Sequence, residues 1–139
     1  MKLSTKSRYG TRMMMELAQR FNGNPVQMGE IAQKQGISVK YLEQIIIPLK
    51  KAGFITSVRG PKGGHLLAKP PDEITVGEII KVLEGEIDLA ACVHDPDICN
   101  KSDTCPTRDI WGLATTAMKN ELDSITLADI LKKQDKSTS

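Results

Sequence analysis

The chain has 139 residues, 40% of them hydrophobic but only five aromatic, so a core must be filled by aliphatic side chains and six methionines. That size suits one domain, or one domain with an appendage, and the lack of any run of about 18 apolar residues excludes a helical membrane span. The net charge of +2 hides an asymmetry: residues 1–69 carry twelve Lys and Arg against three Glu (+9), and residues 70–139 carry seven against fourteen acids (−7).

The opening MKLSTKSRYG lacks an apolar signal core, and a cytoplasmic protein is expected. Leu3 to Phe21 reads as an amphipathic helix, with Tyr9, Met13, Met14, Leu17, Ala18 and Phe21 at helical spacing and the methionine run as core filler. A Gly/Pro turn follows over residues 22–25. Met28, Ile31 and Ala32 then mark a short helix, which Gly36 stops because glycine enters the left-handed region without steric cost. Ser38 is a natural N-cap for a second helix. Leu42, Ile45, Ile46, Leu49 and Gly53 lie on one face of it, and Lys40, Glu43, Gln44 and Ile47 on the other. Two helices joined by a short glycine-containing turn form a helix-turn-helix, whose second helix enters the major groove. Pro48 cannot donate to the Gln44 carbonyl, so a bend or an early end is expected there.

Phe54–Val58 and His65–Ala68 read as two strands around RGPKGG, a hairpin tip rich in glycine and carrying two cations. Helix-turn-helix followed by a cationic hairpin is a winged helix, and the basic half around it is the electrostatic footprint of a double-stranded DNA partner. On this reading Lys40, Tyr41 and Gln44 face the major groove, where Gln can bond adenine bidentately, while Ser38 caps the helix and reaches toward phosphate. Arg59 and Lys62 ride the wing, and Lys2, Lys6, Arg8 and Arg12 supply phosphate contacts.

Thr75 to Glu78 is a capping box opening a helix that ends at Gly85. A loop of some twenty residues then holds all three cysteines, Cys92, Cys99 and Cys105, and a loop that long is uncommon without a function. Pro106 opens a long helix to about Ser124, whose stripe of Ile110, Leu113, Ala114, Ala117, Met118, Leu122 and Ile125 needs a partner. Thr126 to Asp129 resembles another capped start, and Gln134–Ser139 reads as a disordered tail. The expected organisation is therefore mainly α with a small β-wing. Residues 1–85 form the DNA-binding winged helix, 86–105 the cysteine loop, 106–133 a dimerisation helix with a short C-terminal helix, and 134–139 the tail.

In a reducing compartment three thiols are unsuited to structural disulfides. They suit zinc or an iron–sulfur cluster, although neither gap matches the short zinc-finger spacing. A thiol switch, or three unrelated thiols, also fits the pattern. No catalytic constellation is visible. There are two His and no Ser-His-Asp arrangement, and GPKGG lies between strands rather than before a helix, so the chain is not expected to be an enzyme.

MKLSTKSRYG, GISVKYLEQ, SVRGPKGGHLLAKP, ITVGEII, the three-cysteine loop and the CPT..IW start of the long helix together resemble the winged-helix iron–sulfur cluster regulators, which include the Isc regulator and the nitric-oxide sensor NsrR. The resemblance reaches about Leu131. It implies a homodimer pairing through the long helix, a wing in the minor groove, and a cluster on Cys92, Cys99 and Cys105. The cluster is expected to be 2Fe–2S before 4Fe–4S, with zinc as the alternative metal. It also implies a regulator of cluster biogenesis or a related stress response. Relatives without cysteines regulate sulfur metabolism, so a cluster-free regulator using a thiol switch or a partner protein is the alternative. The sequence departs from the family at the fourth ligand. Arg108 stands where the Isc regulator has its histidine, and Arg8 where the nitric-oxide sensor has a carboxylate. An always-protonated guanidinium cannot ligate, which leaves His94, Asp103 and Asp109 as candidates.

Overall fold

The computed structural model describes residues 2–93, 95, 97 and 105–138, with backbone alone at 92 and 135–138. Six helices and one hairpin follow in the order α1 (Thr5–Gln19), α2 (Met28–Gln35), α3 (Val39–Lys51), β1 (Ile55–Val58), β2 (Gly64–Leu67), α4 (Val76–Glu84), α5 (Pro106–Asp123) and α6 (Leu127–Thr138).

The Ser4 hydroxyl accepts from the Ser7 N–H and starts α1 two residues later than expected. Met13, Met14 and Leu17 of this helix are buried in the core, which also holds Ile31, Leu42, Ile45, Leu49, Phe54, Ile55, Ile74 and Ile79. Gly10 sits where α1 crosses its neighbours. A Cβ there would overlap the Leu83 side chain and come within 3.2 Å of the Ile45 methyl, so α1 approaches α3 and α4 at backbone distance. Glu84 ties the two helix ends together. Its Oε1 accepts from the Ser4 N–H at 2.6 Å and the Ser7 hydroxyl at 2.7 Å, and these bonds hold the carboxyl below its usual range.

Gly36 closes α2 in the left-handed region (φ 67°), and the Ser38 hydroxyl accepts from the Tyr41 N–H at 3.1 Å to open α3, as the turn residues require. Of the bend or early end expected at Pro48, the early end does not occur: α3 runs on to Lys51. The carbonyl that loses its donor belongs to Gln44, an exposed residue, and water can take the missing place. The strands pair antiparallel from Ile55↔Leu67 to Val58↔Gly64. A reciprocal bridge between Val26 and His65 (2.9 and 2.8 Å) fastens the base of this hairpin to the segment ahead of α2.

Thr75 caps α4 through the Glu78 N–H, and Thr126 and Asp129 cap each other reciprocally (3.0 and 3.1 Å) at the start of α6. At the backbone level α6 runs on to Thr138. It turns back on the head. Leu127 is fully buried, Ile130 and Leu131 pack on the core, and the Gln19 amide donates to Gln134 Oε1 at 2.6 Å. Helix α5 behaves differently. Ile110, Trp111 and Leu113 are exposed, Leu113 by 74%, and Ala114 and Ala117 lie open beside them. No helix among the described residues is long and apolar enough to cross a membrane.

Because Leu127 plugs the α1 core from the far end of the chain, Leu127→Ala should lower unfolding stability by about 2–5 kcal/mol. A urea titration followed by circular dichroism should read this as one shifted transition rather than selective loss of α6.

Candidate nucleic-acid interface and cysteine site

With Leu42, Ile45, Ile46 and Leu49 buried, the 3.6-residue period turns Lys40, Gln44, Ile47 and Lys51 outward on one stripe of α3, flanked by Glu43 and Lys50. Lys40 and Gln44 thus stand together on the open face. Tyr41 lies on its flank, half-buried, with its ring edge-to-face against Tyr9 at 6.3 Å, while the Arg12 guanidinium lies 5.6 Å from the Tyr9 ring centre. The aromatic pair orients the start of α3 relative to α1. Ser38 is exposed, and its oxygen is engaged as the cap while its O–H hydrogen can still donate.

Arg59 and Lys62 are exposed at the wing tip, in a turn closed by the Gly63 N–H on the Gly60 carbonyl at 2.9 Å. Gly63 is buried against the Val58 carbonyl, where a Cβ has no room. Arg8 and Arg12 are also exposed, and Arg12 lies against the Tyr9 ring that meets Tyr41, which brings its charge to the start of α3. Glu43 is the acidic exception on the recognition helix.

His65 sits where the wing meets α3. Its Nδ1 and the Ser57 hydroxyl, cross-strand neighbours in the register, are buried without a hydrogen-bond partner among the described residues. Burial, then the nearby Lys50 charge, push the imidazole below its usual value, against a smaller opposing pull from Glu43.

The cysteine region is less open than its sequence implies. Three side chains on one face of α5 hold residues 86–93 along the helix. Lys119 pairs with Glu86 at 2.8 Å and lies 3.8 Å from Asp88, the buried Thr115 hydroxyl accepts from the Leu89 N–H at 3.1 Å, and the Arg108 guanidinium reaches the Val93 carbonyl at 3.4 Å. The chain there ends in a short 3₁₀ turn, Ala91–Val93, containing Cys92. Cys105 is the N-cap residue of the 18-residue α5, half-buried, with its sulfur 2.9 Å from the Thr107 hydroxyl. An anionic sulfur or an anionic group on it suits that helix end. Asp109 is exposed in the first turn of α5. Cys99, His94 and Asp103 lie outside the described residues, and among the described ones no three ligating side chains converge. Cys105 at the helix head has a soft sulfur of the kind an iron–sulfur cluster or zinc takes, and the backbone turn that carries Cys92 is fastened to the same helix. Sequence reading missed the tethering by Arg108, Thr115 and Lys119; the period of four and seven residues between them was the available signal.

A winged helix with a cationic recognition face and wing defines this chain as a DNA-binding transcriptional regulator of the helix-turn-helix class. The comparisons narrow that class. A family profile described as Rrf2, iron-dependent transcriptional regulator, matches residues 3–133. The Rrf2 protein of Nitratidesulfovibrio vulgaris is 46% identical over 132 residues, spanning 95% of this chain and 88% of its own. The structure of T. potens IscR superposes with a TM-score of 0.82 at 41% identity, covering 100% of this chain and 92% of that one. CymR, the global cysteine regulator of B. subtilis, superposes at 0.81 with 40% identity over 96% and 98% of the two chains. The chain belongs to the Rrf2 family.

Since the folded His65 binds its proton less readily than a free imidazole, the sign of its pH effect follows. Its contribution is complete above the usual imidazole value and declines as the pH falls below it, where the unfolded chain takes up the proton first. The thermal midpoint should therefore drop between pH 7.5 and 5.5, and His65→Gln should flatten that drop.

Proposed function

We propose that this Rrf2-family regulator acts as a homodimer on double-stranded DNA, with operator affinity set by an iron–sulfur cluster on Cys92, Cys99 and Cys105. The observation that carries the reading is the fastening of the Cys92 turn to α5, the helix whose first turn follows Cys105 and whose outer face is bare and apolar. Whatever is bound to these thiols then acts on the helix that joins two copies, and through α4 on the head. Such a cluster, 2Fe–2S before 4Fe–4S, supplies a redox-sensitive link between loop and helix. Arg108 serves as a tether, which leaves the fourth ligand to His94, Asp103, Asp109 or a small molecule.

On the DNA side, Lys40 and Gln44 address base edges, and Tyr41 holds the helix at its angle while presenting its hydroxyl. Ser38, Arg59 and Lys62 engage the backbone and minor groove. In the dimer the two recognition helices meet half-sites about 34–36 Å apart. A regulatory role in cluster biogenesis or a related stress response, in the cytoplasm, fits this assembly. A non-enzymatic role fits the same assembly.

A second reading has its own support. The likeness to CymR fits a cluster-free regulator of sulfur or cysteine metabolism, with the half-buried Cys105 sulfur as a thiol switch or the loop as a partner's docking point. Anaerobic purification, a visible spectrum, and iron and acid-labile sulfide counts separate the two. Iron and sulfide near two of each per chain, lost in Cys105→Ala together with the cluster-dependent change in operator affinity, are expected. Colourless protein after reconstitution with iron and sulfide would favour the second reading, and zinc alone would make the site structural.

The dimer has a separate check. Leu113→Glu should give a monomer by light scattering and cut operator affinity at least tenfold while preserving the far-ultraviolet spectrum. In the wild type, log Kd should depend steeply on log salt, by about 0.9 per phosphate contacted.

A further inference from the structure

The exposed positions of α3 are polar and mostly cationic, with Glu43 the one acid, except for Val39 at its start and Ile47 near its middle. Ile47 stands on the stripe of Lys40, Gln44 and Lys51, and is 54% exposed while its sequence neighbours Ile45 and Ile46 are 0% and 4%. The core does not require it, because Leu42, Ile45, Ile46 and Leu49 already fill the inner face. Its surroundings favour a polyanion on balance: Lys40 toward one end of the stripe, Lys50 and Lys51 toward the other, against the single acid Glu43, and beside it a shallow groove shared with Met28, Glu43, Ile46, Lys50 and His65. An apolar side chain so placed gains by burial only against an apolar group that arrives along with phosphates. In the major groove the base-pair edge carries such a group, the C5-methyl of thymine.

We propose that Ile47 is a specificity-determining residue that packs on a thymine methyl, about one turn along α3 from the base addressed by Gln44. The assignment rests on the DNA-binding reading above and adds to it one readable position in each half-site. The side chain is well suited to the task. A β-branched residue in a helix is held close to one rotamer, so little order is lost on contact. The lysines at either end of the stripe anchor it to the backbone, which fixes the register of the methyl contact. Glu43, one turn before Ile47, adds no apolar surface and does not compete for the methyl.

The test uses the full-length protein and a randomised duplex library, with selection by wild type and by Ile47→Ser. Each thymine of the wild-type consensus is then replaced by deoxyuridine, which removes the methyl and leaves the pairing intact. One thymine per half-site should be found at which this replacement weakens wild-type binding about fourfold, the factor expected for one buried methyl group. The same replacement should leave Ile47→Ser binding unchanged, and the variant's own selection should lose thymine preference at that position alone. A deoxyuridine penalty that is equal in both proteins at every position would overturn the assignment. Because Ile47 is exposed, Ile47→Ser should melt with wild type, and a matched melting curve shows that the DNA result reports recognition rather than unfolding. Failure of the wild type to select any consensus would overturn the sequence-specific DNA reading itself, a distinguishable result.

Discussion

Everything that positions the two candidate sites depends on how closely α1 lies against its neighbours. At Gly10 the backbone of α1 sits in contact distance of Leu83 on α4 and Ile45 on the recognition helix. A side chain there would push these elements apart. The Ser4, Ser7 and Glu84 hydrogen bonds set the axial position of α1 on α4, and the Tyr9–Tyr41 ring contact sets its position on α3. The DNA-facing helix and the helix leading to the cysteine region are thereby referred to one common element. Displacing either moves it against α1, which interiors packed at crystal-like density resist.

The two halves of the molecule use different kinds of attachment. The head is held by aliphatic packing, with Met13, Met14, Leu42 and Ile79 fully buried. The segment on either side of Cys92 is held on α5 by a partly exposed ion pair, the buried Thr115 hydroxyl and a half-buried guanidinium. Such contacts are individually weak and break at modest cost. A region of that construction can be rearranged by what binds the thiols while the head stays folded.

Local signals were readable in proportion to how local their physics is. Gly36 and Ser38 settle the turn between α2 and α3 through their own backbone and side-chain chemistry, and both caps are found where the residues imply. The hairpin was legible for the same reason, its tip being dense in glycine. The course of α6 was not. Gln134 and the residues after it are polar and look unstructured, yet Gln134 meets Gln19 from 115 residues away, which no window of sequence displays. Pro48 does not end α3, and the carbonyl it leaves without a donor belongs to the exposed Gln44. At the cysteine site, the sequence showed three thiols gathered in one loop, and residue type alone makes them soft donors. The role of Arg108 was not legible, because the seven-residue step to Thr115 shows that the two share a helix face but not that a backbone carbonyl lies against it.

The return of α6 has a consequence for how the protein comes into being. The Leu127 side chain, the bridge between Thr75 and Thr126, and the Ile130 and Leu131 contacts all close the head with residues that follow α5 in the chain. On the ribosome, the DNA-binding half emerges first but with an apolar gap beside α1. It can complete its core only when the far end of the chain has been released. Until α6 docks, the head carries that gap beside α1, so a premature stop after α5 leaves the core without Leu127 and its neighbours.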